Sequence, residues 1–166
     1  MYWIIDLFKK RYEPIIHTSE EDLLKRFDEY NKLYFDGELR KIKIKLVHSR
    51  DVVGEFIHKM NKGTNTFRKK EIQIAENVDW TESDLKSTLV HEMIHYKLAR
   101  EGRFGPVVHG KYFKREMRRL NKNYDLNIHV LAPYRLQLTD KKFILKDAIS
   151  FWICRPIIWI MERIIK

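Results

Sequence analysis

Apolar residues recur along this chain first at helical spacing, then at every second position, then at helical spacing again. Leu23 and Leu24, then Phe27, Tyr30 and Tyr34 at further steps of three or four, predict a helix that buries one face. Thr18 and Glu21 are spaced as a capping box, with Glu20, Glu21 and Asp22 placed where the helix dipole favours acids. Asp36-Gly37 ends the pattern. Ile42, Ile44 and Leu46 then alternate with Lys41, Lys43 and Lys45, a half-buried strand with a basic outer face. Residues 52–58 are a second candidate strand, in which Gly54 marks a bulge or a close approach. A turn over 61–65 leads to a third strand over 71–75, where Ile72 and Ile74 share a face. These three strands are expected to form a small antiparallel sheet.

Helical spacing returns with Leu85, Leu89, Met93 and Tyr96, preceded by a capping arrangement of Thr81 with Asp84 and stopped at Gly102. A loop over 102–106 separates this helix from another over about 111–120, whose apolar side is Phe113, Met117 and Leu120. An extended piece is expected around 127–131. Residues 2–12 read as a short amphipathic helix closed before Pro14, and the chain from 142 onward is helix-prone and apolar. The expected organisation is an N-terminal amphipathic segment over 1–17, an α+β domain over 18–140 and an apolar helical tail over 141–166.

Within the second long helix lies His91-Glu92-Met93-Ile94-His95. Positions four apart share a helix face, so the two imidazoles can meet one ion, and Glu92 stands next to the first of them as a general base for a water. A solvated amphipathic helix with two unrelated histidines has the same spacing. The motif's place well inside a helix with its own apolar stripe favours zinc-dependent peptide hydrolysis.

Composition narrows the setting. At 166 residues, 44% apolar and 13% aromatic, the chain has material for one core despite its 34% charged content. Its one cysteine, Cys154, excludes a disulfide framework and a cysteine-rich zinc ribbon within these residues. A reducing, cytoplasmic compartment is expected. The N-terminal residues have the wrong charge polarity for a secretory signal. The apolar runs 148–154 and 157–161 are split by Arg155-Pro156, and each falls short of the ~20 residues that span a bilayer. A net charge of +10 points to an anionic partner.

Catalytic zinc takes three protein ligands and keeps one position open. A metzincin pattern would need Gly at Leu98 and His at Glu101, and neither is present. Spacing leaves Glu116, from the following helix, and His109, at the end of the loop, as alternatives. Taken together, the pentapeptide, His109-Gly110-x-x-Phe113, and the basic helix ending in Leu120-Asn121 resemble the SprT/Spartan metalloprotease domain. Tyr34-Phe35-Asp36-Gly37-Glu38-Leu39, Gly54 and Glu71-Ile72-Gln73-Ile74 extend the likeness over roughly residues 20–125. The resemblance implies a zincin-like fold, one Zn²⁺ ion held by His91, His95 and His109, and Glu92 as the catalytic base. His17, His48, His58 and His129 lack ligand spacing and read as surface or packing residues. Tyr134 and Arg135 are candidates for stabilising the oxyanion.

Lys111, Lys114, Arg115, Arg118, Arg119 and Lys122 face one acid, Glu116, along the last predicted helix of the domain, and Lys97, Arg100 and Arg103 lie just before it. An ordinary solvated face has this composition too. The resemblance implies DNA, single-stranded or crosslink-bearing, as the partner and DNA-associated proteins as substrates. Unlike larger members of the family, the chain ends in an apolar stretch over 143–166 with Trp152 and Trp159. That stretch reads as a packed helix, with an interfacial membrane surface as the alternative. Two further functions stay open: a small zinc peptidase acting on a membrane-proximal or regulatory protein, and a non-enzymatic DNA-binding module with a structural zinc.

Overall fold

The computed structural model describes residues 13–61, 67–103, 108–131 and 139. Helix α1, Glu20–Phe35, begins at Ser19, whose hydroxyl accepts from the Asp22 amide at 3.1 Å while the Asp22 carboxylate accepts from the Ser19 amide. The capping box is therefore Ser19/Asp22, one residue beyond the expected Thr18/Glu21. Glu21 instead pairs with Lys25 at 2.8 Å, and Glu20 accepts the Leu46 amide at 3.2 Å. Leu23, Phe27, Tyr30 and Tyr34 are buried as the spacing predicts, but Leu24 is 41% exposed, just off the apolar stripe. Asp36 closes the helix in the left-handed region at φ 53°, a conformation that a short polar side chain tolerates.

Strands β1 (Lys43–Val47), β2 (Gly54–Met60) and β3 (Phe67–Ala75) form a sheet in the order β1-β3-β2. The sheet is mixed rather than antiparallel: β2 and β3 are antiparallel, whereas β1 runs parallel to β3. Period-two alternation tells each strand which face to bury and nothing about its direction. The reason for the arrangement lies in residues 48–53, which carry the chain past the position that β3 fills. Asn77, just after β3, clamps that crossing segment by accepting the Ser49 amide at 3.0 Å and donating to the Ser49 carbonyl at 2.9 Å. The Ala75 amide donates to Val53 and the Glu76 amide to Val47, completing the stitch.

Ile44, Phe56, Ile72 and Ile74 face inward, against α1 and against helix α2, Glu82–Arg100. Thr81 caps α2 by accepting the Asp84 amide, and Gly102 takes the left-handed φ of 67° that turns the chain away after it. Val90, Ile94, Leu98 and Ala99 are buried as well as Leu85, Leu89, Met93 and Tyr96. The helix is thus enclosed on several sides, which makes it a rigid mount for side chains. Trp80 seals one end, donating from its indole to the Ala75 carbonyl at 2.8 Å.

Helix α3, Lys111–Tyr124, runs four residues beyond the expected Leu120 and ends at Asp125, φ 51°. It buries Phe113, Glu116 and Leu120. Residues 125–129 carry no regular secondary structure in place of the expected extended piece, yet Leu126 and Ile128 are core residues. The expected helices over 2–12 and from 142, most of the turn over 61–65, Tyr134 and Arg135 lie outside the described residues. Among the described residues no helix is long and apolar enough to cross a membrane.

Candidate metal centre

His91 and His95 project from one face of α2, and His109 stands two residues before α3. Their Nε2 atoms form a triangle with edges of 3.0 Å (His91 to His109), 3.1 Å (His91 to His95) and 3.1 Å (His95 to His109). Phe113 backs all three rings, at centroid distances of 4.7 Å from His91, 4.5 Å from His95 and 4.7 Å from His109. The sequence pattern marked Phe113 as a core residue of its helix. In the structure it also fixes ring orientation at the cluster.

Hydrogen bonding decides the tautomer of one ring. His91 Nδ1 lies 2.8 Å from the His129 carbonyl oxygen. A carbonyl only accepts, so Nδ1 carries the hydrogen and neutral His91 turns an Nε2 lone pair towards the other two rings. Neutrality is favoured throughout. Burial, helped by the His109 charge, pushes His91 down to about 4. Burial with the charges of His91, His109 and His58 pushes His95 down to about 3. His109 is lowered too, by burial and then by Lys114.

Metal fit follows from this donor set. Nitrogens held about 2.0–2.1 Å from one tetrahedral zinc lie roughly 3.3–3.4 Å apart, close to the edges of the triangle. Neutral imidazole nitrogens also suit zinc's borderline-soft preference. The three histidines can hold a metal ion.

Glu92 is buried and points at the sheet. Burial raises its carboxyl to about 8; a hydrogen bond from the Phe56 amide opposes the rise, and Glu55 adds to it. Strand β2 comes this close because position 54 has no side chain. A methyl there would sit 2.8 Å from Thr88 Cγ2 and 3.1 Å from Glu92 Oε1. The glycine is a close approach, one of the two readings its sequence allowed.

Glu116, the alternative third ligand, is not in the cluster. It accepts from Arg119 at 2.9 Å and pairs with Lys97 at 3.4 Å. Burial works to raise its carboxyl, but those two cations hold it below the ordinary carboxylate range. Arg119 also donates to the Tyr34 carbonyl at 3.0 Å, tying α3 to α1. Arg100 donates to the Glu38 carbonyl, and Arg103 pairs with Glu101 at 3.1 Å. Lys111, Arg115, Arg118 and Lys122 are exposed on α3, and Lys114 is half-buried. Tyr112, 36% exposed, has Lys111, Arg103 and Arg115 at 5.1, 5.6 and 5.6 Å from its ring centre. Tyr112 is not among the residues marked by motif or periodicity, although an aromatic flanked by basic residues was the available signal. Of the remaining histidines, His48 lies 3.8 Å from Glu76 and His58 stacks on Phe56 at 5.1 Å. His129 contributes through its backbone, which no spacing rule reveals.

Two imidazoles from one helix, a third from the turn before the next and a buried carboxylate beside the first are the arrangement of a metalloprotease-type domain of α+β class. The family model for the SprT-like family matches residues 23–132, about two thirds of the chain, and the chain belongs to that family. Among curated proteins none matches the chain.

Proposed function

We propose that this chain is a zinc-dependent peptidase that acts on protein substrates in association with DNA. The catalytic unit is taken as residues 18–140, with one Zn²⁺ ion held by His91, His95 and His109. The observation that carries this reading is the convergence of three neutral imidazole nitrogens beside the buried Glu92. When bound, zinc supplies Lewis acidity, polarising a scissile carbonyl and acidifying a water.

The chain's own residues supply the rest. Glu92 accepts the water's proton on a carboxylate oxygen and returns it to the leaving amine nitrogen. The Phe56 amide holds that carboxylate in place, and a cation on the adjacent imidazoles favours its ionised form. Phe113 and the His129 carbonyl keep the rings oriented. Tyr134 and Arg135 remain the proposed oxyanion donors.

The exposed cations Lys111, Arg115, Arg118 and Lys122 support the DNA partner, since such groups neutralise phosphates along a backbone. The Tyr112 ring adds a surface on which an unpaired base can stack. Lys114 and Arg119 belong to the proposed basic face by position, with Arg119 also serving the core.

The test is a cleavage assay of zinc-loaded protein on a basic protein substrate, with and without single-stranded DNA, beside Glu92→Gln. DNA-stimulated cleavage that Glu92→Gln abolishes, at unchanged zinc content, supports the reading. No cleavage by either protein under any condition overturns it in favour of a non-enzymatic module with a structural zinc.

A further inference from the structure

Helix α3 does more than present Phe113 to the histidines. Near its C-terminal end Asn121 turns its side-chain amide onto one residue's backbone: Nδ2 donates to the Ile128 carbonyl at 2.9 Å and Oδ1 accepts the Ile128 amide at 3.0 Å. Both faces of the amide are thus spent on a segment without regular secondary structure. Leu126 and Ile128 plug that segment into the core, at 8% and 2% exposure. Holding the Ile128 carbonyl fixes the peptide plane that joins it to His129. The next carbonyl along is the one that accepts from His91 Nδ1 at 2.8 Å.

We propose that Asn121 is a positioning residue for the histidine cluster, acting through the His129 carbonyl to set the tautomer of His91. A neutral imidazole carries its hydrogen on either nitrogen. With a carbonyl at Nδ1, the hydrogen is held there and Nε2 offers a lone pair to the triangle. Without it, the Nε2–H tautomer becomes populated, and that form has no lone pair for an ion at the cluster. A partner that orients a ligating imidazole typically changes metal affinity ten- to a hundredfold when it is removed.

Two readouts on the full chain test this. One is the tautomer of His91 from side-chain ¹⁵N shifts of the metal-free protein at pH 7; the other is zinc affinity by competition with a chelator. Wild type is expected to show Nδ1–H at His91. Asn121→Ala is expected to show a tautomer mixture with zinc affinity reduced about ten- to a hundredfold. Asn121→Asp, which keeps the acceptor for the Ile128 amide and loses the donor, should fall between them and serves if Asn121→Ala does not fold. Asn123→Ala, at an exposed position on the same helix, should match wild type in both. A general loss of stability does not change the tautomer of the folded protein.

The proposal is overturned if a folded Asn121 variant keeps His91 in the Nδ1–H form with zinc affinity within about twofold of wild type. An equal shift in Asn123→Ala overturns it as well. The affinity readout rests on the zinc reading above, but the tautomer readout does not. A tautomer shift in a protein that binds no zinc would sink the peptidase and leave the positioning role standing.

Discussion

Glu92 and Glu116 are both buried carboxylates, 4% and 7% exposed, on neighbouring helices, and their surroundings push them in opposite directions. Glu116 sits between Lys97 and Arg119, which hold it ionised. Glu92 has a backbone amide and the nearby Glu55 instead of a cation, and burial raises it to about 8. Burial alone therefore does not say what a carboxylate is for; its partners do. A paired one ties helices together, whereas one buried beside an imidazole cluster is, under the proposed function, the proton acceptor.

The strongest way to break this contrast is to neutralise each acid in turn. Glu92→Gln should reduce cleavage by about 10²–10⁴-fold with zinc content unchanged, measured under single-turnover conditions with metal analysis. Glu116→Gln should leave the rate within a few-fold. If Glu116→Gln is the variant that loses activity, the roles assigned here are reversed.

Gly54→Ala probes the same contrast from the sheet side. The added methyl meets Thr88 Cγ2 and Glu92 Oε1, so Thr88, Glu92 or β2 must shift and the Glu92 contact with the Phe56 amide is disturbed. We expect a loss of about 1–3 kcal/mol in urea unfolding and at least tenfold in cleavage. Adding Thr88→Ser, which removes the nearer atom, should restore stability more than activity.

Glu116→Gln should instead cost stability, about 1–2 kcal/mol once the partial exposure of Arg119 is allowed for. Its pH dependence has a definite sign. The folded carboxyl lies below its ordinary value of 4.5, so the unfolded chain binds the proton more readily. The contribution is complete above about 4.5 and disappears as pH falls through the depressed folded value. Unfolding curves of wild type and Glu116→Gln should therefore converge on acidification; a constant gap would show that the Lys97 and Arg119 pairings contribute nothing.

The smallest effect is expected at a cation that pairs with no carboxylate among the described residues. Arg118→Ala, exposed on α3, should change stability by less than about 0.5 kcal/mol. It should lower the salt dependence of DNA binding by about one phosphate contact, read from affinities at several salt concentrations. An unchanged slope would remove this residue from the proposed interface.

The helices were legible because helical spacing needs only local information: Leu23, Phe27 and Tyr30 in α1, and Leu85, Leu89 and Met93 in α2, are buried as their periodicity predicts. The first turn of α1 was less so, because Thr18/Glu21 and Ser19/Asp22 offer the same spacing. Strand direction was not legible. The alternation of Ile42, Ile44 and Leu46 is identical in parallel and antiparallel pairing, and the clamp from Asn77 to Ser49 spans 28 residues. Asn121 and the His129 carbonyl left no trace in spacing, since a side-chain amide on a backbone has no periodic signature.

What the sequence determined by itself was local: two histidines on one helix face with a glutamate beside the first, a glycine in the second strand, and a basic helix. The helical period of about 3.6 residues and backbone sterics are enough for that. Spacing left His109 and Glu116 open and the family resemblance implied His109; the tertiary structure brings His109 to the other two, places Glu116 between cations, and sets β3 between β1 and β2. Apart from the Arg119 pairing within α3, these depend on contacts between residues distant in the chain, set by how the core closes rather than by any local preference.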